Sequence, residues 1–140
     1  MNYKIDKTEQ YALISLDETT FGAEITPAFE KLVVQLYREG YTNMIADFAK
    51  VTEVDNDGLT LIRKATRVCR NEQGLFIIAT KDDDLIDEID SAKVPELVIL
   101  PTTEEAIDAV FMNDLENDFR EESDDEFDLG EENGFQEEKY

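Results

Sequence analysis

The chain has 140 residues, 13 Lys or Arg against 35 Asp or Glu, no His and one Cys, for a formal net charge of −22. This length suits one domain with a proper core, and the charge argues against binding phosphate backbones or anionic membranes, which calls for clustered cations. Without an imidazole a serine or cysteine triad has no base, and a lone Cys69 allows neither an internal disulfide nor a multi-cysteine zinc site.

Met1–Asp6 lacks an apolar run of signal-peptide length, and no later segment approaches the roughly 18 apolar residues of a membrane span. With one free cysteine this fits a reducing, cytoplasmic setting. Tyr3 to Ile5 and Tyr11 to Leu16 are expected as strands of an N-terminal hairpin, turning through Asp6 to Gln10. Thr26-Pro27 then opens a helix, with Thr26 as N-cap and Pro27 at the first helical position. Phe29, Leu32, Val33, Leu36 and Tyr37 recur at helical spacing, and Gly40 stands where a left-handed C-terminal residue is wanted.

Met44 to Phe48 reads as a buried strand, followed by Val54-Asp55-Asn56-Asp57-Gly58-Leu59, a turn that opens a helix from about Asp57 to Asn71. Leu59, Ile62, Ala65 and Cys69 lie on one face of that helix, which stops before Gly74. Cys69 is expected as a small apolar filler rather than a redox-sensing thiol. The run Leu75 to Ala79 has the near-continuous apolar character of a strand buried on both faces, so helices must cover both sides of the sheet. A short helix over Asp82 to Asp90, a last strand at Leu97 to Leu100 and a capping box at Thr102 to Glu105 follow. The final helix then carries Ala106, Ile107, Val110 and Phe111. Alternation of strand and helix from 41 to 113 implies parallel strands joined by right-handed crossovers.

From Asp114 the composition shifts. Residues 114–140 hold 13 acids against Arg120 and Lys139, half of the net charge, and such a segment buries too little apolar surface to offset its ordering entropy. The expected division is a domain over 1–113 and an acidic, flexible tail over 114–140. Phe119, Phe127, Phe135 and Tyr140 are interleaved with the acids, a composition that suits either a docking segment or a plain solubilising tail.

Several acidic groupings invite a metal and fail on spacing. Counting a calcium loop from Glu53 puts Leu61 at the ninth position and Lys64 where a bidentate Glu belongs. Asp82-Asp83-Asp84 sits at a helix start, where the dipole alone favours acids. Asp47 and Asp55 form a conceivable carboxylate pair, and with Asp57 they are the residues on which a metal-dependent enzyme would have to rely. No Gly-x-x-x-x-Gly-Lys phosphate loop is present, and no cofactor is implied.

The helix start at 55–59 presents backbone N–H groups and the positive end of a dipole, where an anion or a partner can dock. The order of elements, the strand end Ile45-Ala46-Asp47-Phe48 leading through Val51 to Val54, Asp55, Gly58 and Leu59, and the late Pro101-Thr102-Thr103-Glu104-Glu105-Ala106-Ile107 together resemble the STAS domain of bacterial anti-sigma factor antagonists, over residues 1 to about 113. The resemblance implies an α/β fold with a mostly parallel mixed sheet, an antiparallel N-terminal hairpin and about four helices. It also implies a non-enzymatic binding module whose turn, Asp55, Asn56, Asp57, Gly58 and Leu59, docks an anti-sigma factor that is also a serine kinase. In that family phosphorylation of the first Ser of the turn blocks docking; here Asn56 holds that position and Asp57 the next. Two readings of Asp57 follow, a helix cap or a fixed imitation of the phosphorylated form, and the cap is favoured, leaving a permanently competent turn. A second expectation within binding proteins is an accessory subunit for an ABC transporter ATPase or for other STAS proteins in a signalling assembly.

Overall fold

Two strands of the expected hairpin, Tyr3–Lys7 (β1) and Ala12–Leu16 (β2), pair antiparallel with Tyr3 opposite Leu16 and Lys7 opposite Ala12. The Thr8 hydroxyl closes the turn by accepting the amides of Gln10 and Tyr11, each at 3.2 Å. This computed structural model describes the backbone of residues 1–129 and the side chains of residues 1–120. Helix α1 spans Thr26–Arg38, strand β4 Met44–Asp47, helix α2 Asn56–Asn71, strand β6 Phe76–Ala79, helix α3 Asp83–Ser91, strand β7 Val98–Leu100 and helix α4 Thr103–Leu129. Two short strands that periodicity did not announce, Thr20–Phe21 (β3) and Glu53–Val54 (β5), form a separate parallel pair. Two residues are too few to show alternation.

The main sheet has the order β1-β2-β4-β6-β7, and every pairing after the first is parallel. The chain therefore steps always in one direction, from β2 to β4 through α1, then to β6 through α2 and to β7 through α3. Right-handed crossovers in a constant direction place their helices on one face of a sheet. The packing follows suit: Phe29, Leu32, Val33 and Leu36 of α1, Leu61, Ile62, Ala65 and Cys69 of α2, and Leu85 and Ile89 of α3 share one core with Ala12, Ile14, Met44, Ala46, Phe76 and Ile78. The alternate strand residues Ile45 and Ile77 point the other way and are covered by Ala106 and Val110 of α4. Both faces of β6 are thus buried, as its apolar run required.

Details of the helix ends depart from expectation in three places. Ile25, not Thr26, is the N-cap of α1 and makes no side-chain cap bond; Thr26 is already helical, and a tight turn lets the Gly22 carbonyl accept the amides of Ile25 and Thr26 at 3.0 Å. Tyr37 stays exposed beside the buried α1 row, because the helix turns it past the edge of the core. Gly40 takes φ +100° and lets Tyr41 donate back to the Leu36 carbonyl at 3.0 Å, the helix-ending bond its position foretold. After α2, however, Gln73 supplies the left-handed residue at φ 64°. Gly74 answers a different need, since a Cβ there would overlap the Thr42 carbonyl.

Helix α4 begins with the expected cap, the Thr102 hydroxyl accepting the Glu105 amide at 3.1 Å, and then runs without a break across the composition shift at Asp114. Asp114 is fastened to the domain. The amide of buried Asn43 donates to its carboxylate at 3.1 Å and to the Gln10 carbonyl at 2.9 Å, while the Asn43 oxygen accepts the Leu75 amide at 2.9 Å. Asn113, directly before Asp114, and Asn117, about one turn after it, both donate to the Gln73 carbonyl, at 2.8 and 2.9 Å. The boundary expected after residue 113 therefore falls inside a packed helix. Phe127 lies beyond the described side chains, and Phe135 and Tyr140 beyond the described residues.

Two substitutions test this packing. Gly74→Ala should lower unfolding free energy by about 1–3 kcal/mol, because the backbone it meets cannot yield as a side-chain end would. Asn43→Ala removes a buried side chain that bonds three segments and should cost about 1–3 kcal/mol. Urea titrations followed by circular dichroism measure both; a loss below 0.5 kcal/mol, roughly the ordinary surface value, would contradict the packing described.

Candidate functional site

The start of α2 is built by a single carboxylate. Asp55 is the N-cap, in an extended conformation, and its Oδ1 accepts the Gly58 amide at 2.9 Å. Its Oδ2 reaches out of the helix to accept the amide of Ala23 at 3.0 Å, in the loop between β3 and α1. These backbone donors, Gly58 first and Ala23 second, hold the Asp55 carboxyl below the ordinary carboxylate range, against a smaller opposing effect of desolvation. Asp55 thus caps one helix and tethers the approach to another.

The glycines around it are there for close approach. A Cβ on Gly22 would run into the Asp55 carboxylate, and one on Gly58 would overlap the Phe21 carbonyl and stand 2.8 Å from Val54 Cγ2. The Asp55 amide also donates to the Phe21 carbonyl, at 3.3 Å, continuing the β3–β5 pairing. Leu59 is half-buried and packs on the core below. Of the five expected site residues, then, Asp55, Gly58 and Leu59 build the turn, whereas Asn56 and Asp57 stand on it exposed to solvent.

Asp57 is not the cap. That position belongs to Asp55, so Asp57 adds a negative charge in the first turn, where the helix dipole favours it. The neighbouring hydroxyls are engaged by backbone: Thr60 donates to the Asn56 carbonyl at 2.9 Å, and Thr52 to the Thr19 carbonyl at 3.3 Å. Sequence reasoning missed the contribution of Gly22 and Ala23, which lie more than thirty positions away along the chain. The available signal was a glycine directly after the aromatic Phe21, a place where a backbone is approached closely.

The other candidate residues take structural roles. Asp47 accepts the amide of Ala49 at 3.0 Å at the end of β4, and Asp82 caps α3 by accepting the Leu85 amide at 3.1 Å. Asp47, Asp55 and Asp57 do not come together as ligands; among the described residues no three His, Cys, Asp or Glu are placed to hold a metal ion. Cys69 is buried in the helix-covered core, and burial pushes its thiol up to about 12, so no thiolate forms near neutrality. Among the described residues no helix is long and apolar enough to cross a membrane.

With this geometry in place, comparison with known proteins identifies the fold. The sequence matches no protein-family profile and no curated protein. Solved structures do match. A Thermotoga maritima protein assigned as an anti-sigma factor antagonist superposes with a TM-score of 0.66 at 16% identity, covering 77% of this chain and 93% of its own. The phosphorylated form of the Bacillus cell-fate determinant SpoIIAA gives 0.61 at 18% identity, over 78% of this chain and 99% of its own. An RsbS variant from Moorella thermoacetica gives 0.65 at 12% identity, over 79% and 95%. The chain therefore has the STAS fold, with the strand order, single antiparallel hairpin and four helices described above.

Proposed function

We propose that this protein is a non-enzymatic regulatory module that binds a partner of the anti-sigma factor or serine-kinase class through the α2 start, with Asn56 and Asp57 as the contact pair. One observation carries this reading: Asp55 spends both carboxylate oxygens on backbone amides, fixing a rigid ledge on which Asn56 and Asp57 are the exposed side chains. A contact presented on a preorganised turn loses little entropy on docking. The anti-sigma factor antagonists among proteins of the same fold support the choice of partner class. The same bonds argue against the enzymatic alternative, since a carboxylate saturated by amides is poorly placed to hold a metal or shuttle a proton.

SpoIIAA is known in a phosphorylated form. In this chain Asn56 stands where the resemblance puts the acceptor, and it has no hydroxyl. A neutral amide of Ser-like polarity there keeps the turn competent, so docking is not switched by phosphorylation at that site. Asp57 contributes to the fit with the partner and to the helix dipole. An accessory role beside an ABC transporter ATPase, or beside other STAS proteins, uses the same surface with a different occupant.

The test is affinity purification from native extract with the intact chain and with the Asn56→Lys, Asp57→Lys double variant. The intact chain should retain an anti-sigma factor or kinase that the variant loses by at least tenfold, with both chains fully folded by circular dichroism at the binding temperature. Retention of a transporter ATPase instead would establish the accessory reading, and equal retention by both chains would remove the turn from docking. Asp57→Ser should change partner affinity less than threefold; a sharp rise would make Asp57 a fixed imitation of the phosphorylated state.

Asp55→Asn separates scaffold from contact. Asn has one carboxamide oxygen for two amides and turns an N–H donor toward the other, so the melting temperature should fall. The folded-state pKa of Asp55 is depressed, so its charge stabilises the fold above the ordinary carboxylate range, and that stabilisation is lost as pH falls through the folded value. The stability gap between the native chain and Asp55→Asn should hold constant from pH 6 to 8 and narrow below about pH 4. A gap that widens in acid would contradict the assignment.

A further inference from the structure

Helix α4 is apolar on two opposite sides. One side, Ala106 and Val110 with Ile107, packs on the sheet, and Asn113, Asp114 and Asn117 continue it with their bonds to Gln73 and Asn43. At 100° per residue, Phe111, Met112, Leu115 and Phe119 fall within about one quadrant on the far side. They are 45%, 57%, 51% and 63% exposed. Phe111 meets Tyr11 edge-on, with ring centroids 6.5 Å apart. Only three other large hydrophobics, Tyr3, Val34 and Tyr37, are comparably exposed among the described residues, and none is on α4. A contiguous apolar row of this kind on a strongly charged protein marks an interaction surface.

The charge around the row specifies its occupant. Asp108 and Asp118 border it, and Glu116 lies at its edge in an ion pair with Arg120 at 3.7 Å. Beyond Arg120 the helical backbone continues through Glu121, Glu122, Asp124, Asp125, Glu126 and Asp128 with no further cation. A second copy of the chain would bring the same acids and a further charge of −22 against these, which is unfavourable. An amphipathic helix with a leucine-like face and Lys or Arg along its flanks would fill the row and pair with its borders. The solved neighbours are covered over 93% to 99% of their own length while about a fifth of this chain has no counterpart in them.

We propose that the Phe111–Met112–Leu115–Phe119 face of α4 is a second docking surface, which binds a cationic amphipathic helix of a partner protein. It lies on the face of the sheet opposite α2, so it stands or falls separately from the function proposed for the turn.

The probe is a fluorescein-labelled 18-residue Leu/Lys peptide of helical periodicity, with a scrambled peptide of the same composition, titrated by fluorescence anisotropy against the full-length protein in 150 mM salt. The periodic peptide should bind at least tenfold tighter than the scrambled one. Met112→Ser, Leu115→Ser and Phe119→Ser combined should remove that advantage without altering charge, and Asn56→Lys, Asp57→Lys should leave it intact. These three side chains are exposed, so the circular dichroism melt should not move by more than about 2 °C. Equal binding of both peptides, or equal binding by the serine variant, would reduce the effect to general charge attraction and overturn the proposal. So would either competing occupant: a native dimer in analytical ultracentrifugation that the serine variant dissolves, or a tenfold gain in peptide affinity on Phe135→Ser, Tyr140→Ser, which would show the row covered by the chain's own C-terminal residues.

Discussion

The constraint on which this structure depends is the one-way winding of its parallel sheet. Because each crossover is right-handed and each step from β2 to β7 goes in the same direction, α1, α2 and α3 have no choice of face. The other face still presents Ile45 and Ile77 to solvent unless something follows the last strand. Helix α4 meets that requirement with Ala106 and Val110. The fold therefore separates its helices into three that share one core and one that is held by the other face of the sheet and by the asparagine bonds at its middle. A helix held along one side is free to offer the other.

Asp55 is the local counterpart of that constraint. In a β–turn–helix unit the first amides of the helix need acceptors, and a short carboxylate at the N-cap meets the need. Here its second oxygen is also engaged, by Ala23, so the loop leading into α1 and the start of α2 are fixed relative to each other. Gly22 and Gly58 are the complement of this arrangement, because a side chain at either would collide with the partner segment. A motif of Asp, two variable residues and Gly-Leu is in this light first a folding device. Its two variable positions, Asn56 and Asp57, make none of these bonds, so they can vary while the turn keeps its shape.

Most of the architecture was legible because it rests on long periodic signals. The run Leu75–Ala79 and the row Phe29 to Leu36 each state a burial pattern in their own residues, and each is met; of the capping box, the Thr102 half forms. What stayed hidden depends on partners distant in sequence. The β3–β5 pair has two residues a side, the Ala23 tether is made by a backbone amide that every residue possesses, and Thr26 lost its capping role to a carbonyl at Gly22. The acids after residue 113 misled for a related reason. Composition averages over a segment, but the Asp114 carboxylate accepts from Asn43 and the Asn117 amide donates to the Gln73 carbonyl, at positions that face inward on a helix already nucleated by Thr102. Cooperative helix extension from a packed first half requires far less of each added residue than nucleation does.

Charge is distributed unevenly over the helices. Helix α2 carries Arg63, Lys64, Arg67 and Arg70 against Asp57 alone, and three of these line a cleft of about 420 Å³ with Lys93. Helix α3 has five acids and no cation, and α4 carries acids along its whole length. A chain with net charge −22 would repel an acidic partner from a distance, yet within a Debye length of about 8 Å the local sign governs, and on α2 that sign is positive. The α4 face, by contrast, attracts cations at long and short range alike. Partners at the α2 start and on α4 would not compete, since the sheet separates the two sites. If both belong to one assembly, the first contact raises the effective concentration of the second, and affinity rises without any new contact being made.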